Sequence, residues 1–161
     1  MGSDRRYYDD SYTTRFEARV AEVVEREGLR RVELESTYFF PESGGQEADR
    51  GTLGPAAVID VQADDEGRVW HTLAEGAAAP AGDLAAEVDW ARRFDNMQQH
   101  TGQHILSAAF DRLLDVATVS SHLGEERSAI EMAMPDADWR TIERIETAAN
   151  QVVWEDRAIA L

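Results

Sequence analysis

Apolar side chains in the first part of the chain recur at every second position. Phe16, Ala18 and Val20, followed by Val23 and Val24, alternate with charged residues, which is the period of a long half-buried strand. Glu27-Gly28 marks a turn, after which Val32 and Leu34 resume the alternation toward Tyr38, Phe39 and Phe40. The next 15 residues, Pro41 to Pro55, hold four glycines and two prolines and read as loop. Ala57, Ile59 and Val61 predict another strand, Asp64-Asp65-Glu66-Gly67 a turn, and Arg68 to Leu73 the returning arm of a hairpin. AEGAAAPAG reads as a connector, and Leu84, Ala86, Val88 and Trp90 as a last strand. Many short strands joined by glycine-rich turns favour a small barrel over a sandwich.

The period then changes. From Asp95 to about Leu114, Met97, Thr101, Leu106, Ala109, Phe110, Leu113 and Leu114 recur at helical spacing, and Asp95 with Gln98 resembles a capping box. Ser128 to Met134 (SAIEMAM) reads as a strand that Pro135 ends. Asp138 is placed to cap a second helix with Ile142, Ile145, Ala149, Val152 and Val153 on its face. The expected fold class is α+β: a β-barrel domain over residues 1–90 and an α+β domain over 91–161.

Composition narrows the function classes. The 161 residues carry a formal charge of −16, and all 16 basic side chains are arginine. Hydrophobic content of 43% is too high for a disordered acidic tail. The absence of cysteine excludes a disulfide framework and any thiolate nucleophile or metal ligand within these residues. The polar, acidic start MGSDRRYYDDSY has no apolar signal core, so a cytoplasmic location is expected. Passive nucleic-acid binding is disfavoured, because it needs a basic surface to release counterions. A lysine-free acidic surface fits adaptation to high salt and equally fits a GC-rich genome that favours arginine and alanine codons.

Three constellations carry chemistry. His100 and His104, in QQHTGQHIL, stand four apart on the predicted helix, one turn or about 5.4 Å along its axis, where both can reach one ion. Two helical histidines are also common as plain structural or surface residues. Two nitrogens fall short of the three or four protein ligands of a zinc site, and the glutamate of HExxH is missing. Second, in Pro41-Glu42-Ser43-Gly44-Gly45-Gln46 the tandem glycines allow positive φ or close backbone approach to a ligand, with Gln46 presenting its amide; a simple hairpin loop fits as well. Third, His122 in SSHLGEE is placed to face a pocket or to sit in an ordinary turn. His71, beside Trp70, reads as a partly buried strand residue. No Ser–His–Asp pattern supports triad chemistry.

Taken in order, YYDDSYTTRFEARVAEV, FFPESGGQEADRGTLG, VWHTL, FDNMQQHTGQHILSAAF and SSHLGEERSAIEM resemble the editing module of alanyl-tRNA synthetases, the freestanding AlaX-type editing proteins and other DHHA1-linked relatives. The resemblance runs from Tyr7 to about Asp156 and implies a small β-barrel followed by an α+β editing domain shared with threonyl-tRNA synthetases. It also implies a deacylase that hydrolyses serine or glycine from mischarged alanine tRNA. The family's zinc ligands come from an HxxxH pair, matched by His100 and His104, and a later CxxxH, which has no match here. The chain is accordingly expected to be a fragment of a longer protein that is cut before those ligands. Gln46 and Thr101 are the implied catalytic residues near the ester. Gly44, Gly45 and His122 are the implied substrate-binding positions. Polar groups left unpaired by alanine can favour serine in such a pocket, whereas sterics cannot, because serine is the larger residue. The competing reading is a non-catalytic tRNA- or protein-binding module with a vestigial metal site, which the charge favours. A dinuclear phosphoesterase would need aspartate/histidine clusters that are not present.

Overall fold

The alternating stretches of the N-terminal half pair antiparallel and close on themselves. In the computed structural model, which describes residues 2–158, the strands are β1 (Asp4–Arg5), β2 (Arg15–Arg26), β3 (Leu29–Leu34), β4 (Ser36–Thr37), β5 (Gly51–Leu53), β6 (Ala56–Ala63), β7 (Val69–Leu73) and β8 (Asp83–Val88). Six of them form a closed barrel in the order β2-β3-β7-β6-β5-β8, while β1 pairs with β4 in parallel outside it. The helix α1 (Trp90–Leu114), the strands β9 (Thr118–Leu123) and β10 (Ser128–Met132) and the helix α2 (Trp139–Trp154) follow, giving an α+β arrangement. The chain divides into two compact units, Met1–Asp95 and Asn96–Leu161. No helix of the described residues is long and apolar enough to cross a membrane.

Side-chain alternation fills the barrel. Val32, Leu34, Phe39, Leu53, Val61 and Leu73 are all 0% exposed, each contributing about 1.5–3 kcal/mol by burial. Two bulges reset the alternation. The step from Val20 to Val23 coincides with a register shift between Val20 and Glu22. A second shift between Val58 and Asp60 changes the phase of β6. As a result Ala56, Val58 and Val61 point inward, and Ala57 and Ile59, expected to share a face with Val61, lie outside. The Glu27-Gly28 turn is a two-residue hairpin loop with φ of 54° and 79°, the positive values that match strand twist.

The Pro41–Pro55 stretch is not all loop. Gly51–Leu53 is a barrel strand between β6 and β8. Its glycine serves closeness rather than turning, since a Cβ on Gly51 would stand 2.0 Å from the Glu87 carbonyl oxygen. Trp90 opens α1 instead of ending β8. The cap is Asp89, whose Oδ1 accepts from the Arg92 amide at 3.2 Å, while its carbonyl accepts from the Arg93 amide at 2.9 Å. Asp95, expected as the cap, lies inside the helix.

Arg93, on the first turns of α1, is buried against Asp49 as a bidentate ion pair. Its Nη1 donates to the Ser11 carbonyl at 2.7 Å and its Nη2 to the Tyr38 carbonyl at 2.5 Å. Asp49 in turn accepts from the Phe40 amide at 2.6 Å.

His71 is fully buried rather than partly so. Its Nδ1 faces the Val32 carbonyl and its Nε2 the Thr37 hydroxyl, both at 2.9 Å. A carbonyl can only accept, so Nδ1 carries the proton and Nε2 accepts from Thr37, whose oxygen accepts from the Phe39 amide at 3.0 Å. A second ring proton would force the Thr37 hydroxyl to turn its own proton away, and burial lowers the His71 pKa from 6.5 to about 4.

The second unit has a smaller core, with Ala109, Phe110 and Ile145 buried and Leu106, Met132, Ile142 and Ala149 packed around them. The strands β9 and β10 form an antiparallel hairpin. Asp138 caps α2 as expected, accepting from the Thr141 amide at 2.7 Å. Val153, expected on the covered face, is 58% exposed.

Two predictions follow from these buried groups. Asp49→Ala strands the Arg93 charge and lowers the unfolding free energy by about 3–5 kcal/mol. The double variant Asp49→Leu/Arg93→Met recovers part of that loss but stays below wild type, because the Ser11 and Tyr38 carbonyls and the Phe40 amide lose their partners. Urea unfolding of the three proteins measures both effects; a double variant as unstable as Asp49→Ala contradicts the charge argument. The second prediction concerns pH. The unfolded chain protonates His71 near 6.5 and the folded chain only near 4, so this contribution is complete above 6.5 and is lost as the pH falls through that window. The loss amounts to about 3 kcal/mol at its limit. His71→Gln shows a correspondingly smaller fall in urea midpoint between pH 7.5 and 4.5, and an equal fall in the two proteins refutes the assignment.

Candidate functional site

The histidine pair of the second unit is brought together by helix geometry alone. His100 and His104 are four residues apart on α1, and their rings stack with centroids 4.8 Å apart at an interplanar angle of 26°. His100 is half-buried and His104 exposed. Burial, and then the neighbouring His104, lower the pKa of His100, which favours the neutral, lone-pair-bearing form that a metal ion needs.

Polar bonds fix the helix around this pair. Ser128 on β10 donates to Gln99 Oε1 at 3.1 Å, next to His100. Gln103 donates to the Ser107 hydroxyl at 2.9 Å, and the Thr118 hydroxyl at the start of β9 donates to the same oxygen at 2.7 Å. Gln99, Gln103, Ser107, Thr118 and Ser128 carried no sequence signal: Gln103 and Ser107 share α1, but the bonds that tie the helix to β9 and β10 join separate elements. The Gln99–Ser128 contact, for example, joins residues 29 apart.

Thr101 follows His100 on α1 and is half-buried. His122 is neither in a turn nor buried. It lies on β9 opposite Ala129, with its ring exposed, while its neighbour Leu123 is buried on the other face of the hairpin. Among the described residues no group of three or more His, Cys, Asp or Glu side chains is arranged to hold a metal ion. The His100–His104 pair therefore meets the spacing for two ligands, and His122 does not join it as a third.

The remaining candidates lie in the first unit. Ser43-Gly44-Gly45-Gln46 is a tight hairpin turn: the Ser43 amide donates to the Gln46 carbonyl at 3.1 Å, and the Gln46 amide donates to the Ser43 carbonyl at 3.0 Å. Gly44 and Gly45 have φ of 60° and 83°, the pair of positive values that this two-residue turn demands. A Cβ at Gly44 meets nothing within 4 Å, so conformation rather than crowding calls for glycine there. The Gln46 side chain is buried at 5% exposure, in contrast to the solvated amide of a plain loop. The arginines on the first turns of α1 hold the residues that follow. Arg92 donates to the Ala48 carbonyl at 2.8 Å and pairs with Glu47, and Arg93 takes Asp49.

No protein-family model matches the chain. Individual relatives do. The chain is 40% identical over 122 residues to the alanyl-tRNA editing protein Aarsd1 of Mus musculus, an alignment covering 76% of this chain and 29% of that protein. It is 39% identical to the alanine–tRNA ligase of Pyrobaculum neutrophilum over 93% of this chain and 17% of the ligase. The chain thus spans less than a third of the length of Aarsd1. The alanyl-tRNA editing protein AlaX-M of Pyrococcus horikoshii is 33% identical, and the alignment covers 92% of this chain and 69% of AlaX-M. With that identity over more than two thirds of a relative's length, the chain belongs to the alanyl-tRNA editing protein family.

Proposed function

We propose that the chain works as an aminoacyl-tRNA deacylase, releasing serine or glycine from mischarged alanine tRNA with the help of zinc. The observation that carries this reading is the stacked pair His100 and His104, two imidazoles on one face of α1 in a chain whose relatives are named as alanyl-tRNA editing proteins. Zinc suits two neutral imidazole nitrogens, and when bound it supplies a Lewis acid that activates water or fixes the substrate. The described residues offer two donors and no third, so tight zinc binding needs a further ligand.

This chain's own residues have narrower tasks. His100 and His104 hold the ion, and the hydroxyl of Thr101, next to His100, is available for hydrogen bonding to the substrate. In the first unit Gln46, set by the Gly44-Gly45 turn, carries an amide able to pair with polar groups, and in the second unit His122 offers an exposed donor or acceptor from β9. Alanine tRNA is the partner, and the site of action is the cytoplasm.

Release of serine from mischarged alanine tRNA tests the reading. His100→Ala and His104→Ala each lower the rate by at least about 100-fold, while both helices still form by circular dichroism. Full activity in both variants removes the imidazole pair from the site. Wild-type binding of the tRNA without any release favours the non-catalytic binding module.

A further inference from the structure

Three aromatic rings in the first unit form a continuous exposed cluster, two of them stacked. Trp90 and Phe94, one turn apart on α1, are stacked with centroids 5.2 Å apart at 30°, and Tyr12 leans on Trp90 at 5.6 Å and 41°. They are 39%, 39% and 65% exposed. We propose that this cluster is a landing platform for an unpaired nucleobase of the RNA partner. That the ligand is RNA rests on the tRNA reading given above.

The platform is exposed but held in place. Asp10 accepts from the Tyr12 amide at 2.9 Å and from the Thr13 hydroxyl at 2.6 Å, closing a tight turn around Tyr12. The Ser11 carbonyl takes Arg93 Nη1 at 2.7 Å, and the Thr14 carbonyl takes the Val88 amide at 2.8 Å. Tyr12 is thus fastened on both sides to the segment that carries Trp90 and Phe94. Rings set in advance lose little freedom when a ligand arrives, so contact energy is not consumed in ordering them.

Chemistry selects the occupant. Every nucleobase has a π-face that extends an aromatic stack, whatever its sequence. The phosphate route is poor here, because the chain carries −16 and Asp10, Asp89 and Asp95 stand beside the three rings in the sequence. A base that splays out of a single strand can reach the rings while its phosphates stay in solvent, whereas a paired and stacked base cannot.

The test uses fluorescence anisotropy of a labelled short oligoadenylate, an abasic oligomer of equal length and a duplex. The wild-type chain binds the oligoadenylate with little salt dependence and binds the other two far more weakly. Trp90→Ala and Tyr12→Ala each weaken that binding between about 5- and 100-fold. Tyr12 lies outside the regular elements and is largely exposed, so its variant keeps the fold if Trp90→Ala does not. Unchanged binding in Tyr12→Ala, or equal binding of the abasic oligomer, overturns the platform. So does a concentration-dependent dimer that Tyr12→Ala dissolves without affecting the oligonucleotide. Serine release measured in parallel separates this from the deacylase reading. Aromatic-dependent binding without release leaves the platform standing and removes the deacylase. Release with KM unchanged in both variants removes the platform.

Discussion

Arg93 reaches three stretches of the first unit from one guanidinium: the Asp49 carboxylate, the Ser11 carbonyl and the Tyr38 carbonyl. Asp49 takes a second hold on the Tyr38–Phe40 stretch by accepting from the Phe40 amide. Such a buried pair is costly to desolvate and is worth having only when each lone pair and proton finds a partner, as nearly all do here. The geometry suits arginine alone, since its planar fork can take a carboxylate and two carbonyls at once, where an ammonium is a single point. With it in place, the segment before β2, the chain entering the Gly44-Gly45 turn and the start of α1 are set as one body. Tyr12 beside Trp90 and Ala48 beside Arg92 both depend on it.

The local grammar of the sequence carried much of this fold. Alternation located the barrel strands, the change of period separated barrel from helix, and Asp138 and the Glu27-Gly28 turn appear where propensity puts them. What escaped is what depends on distant partners. Gly51 looks like one more loop glycine until the Glu87 carbonyl lies against it. The bulge at Val58–Asp60 reverses which residues of β6 face inward, and nothing in Ala57, Ile59 and Val61 announces it. The start of α1 differs from the local pattern: Asp95 and Gln98 satisfy a capping box, whereas Asp89, one residue after β8, makes the actual cap. His71 has two partners 34 and 39 residues away, and only their presence makes full burial tolerable.

For the candidate site the division is similar. The spacing of His100 and His104 is a local property, and the rings are side by side for that reason. The glycine pair at Gly44-Gly45 has the positive φ values that its composition suggested. The exposure of His122 depends on which face of β9 is covered, and the neighbouring Leu123 takes the buried one. The burial of Gln46 likewise reflects the packing around the turn rather than the turn itself.

The acidic balance, which first argued against nucleic acid, bears differently once the arginines have partners. Arg15 pairs with Glu87, Arg19 with Glu35 and Asp83, Arg68 with Glu22, Asp64 and Glu66, and Arg92 and Arg93 with Glu47 and Asp49. These cations neutralise carboxylates of their own chain and hold carbonyls in place, so a phosphate must compete with a neighbour already attached. Counterion release is then a weak source of affinity for these side chains, and high salt costs such a protein little. An RNA partner has to be held through what salt does not screen: stacking on rings, hydrogen bonds to sugar and base edges, and the fixed shape of a pocket. For the RNA platform proposed above, the rigidity around Arg93 would serve affinity as well as structure, because contacts of this kind gain affinity mainly by being in position beforehand.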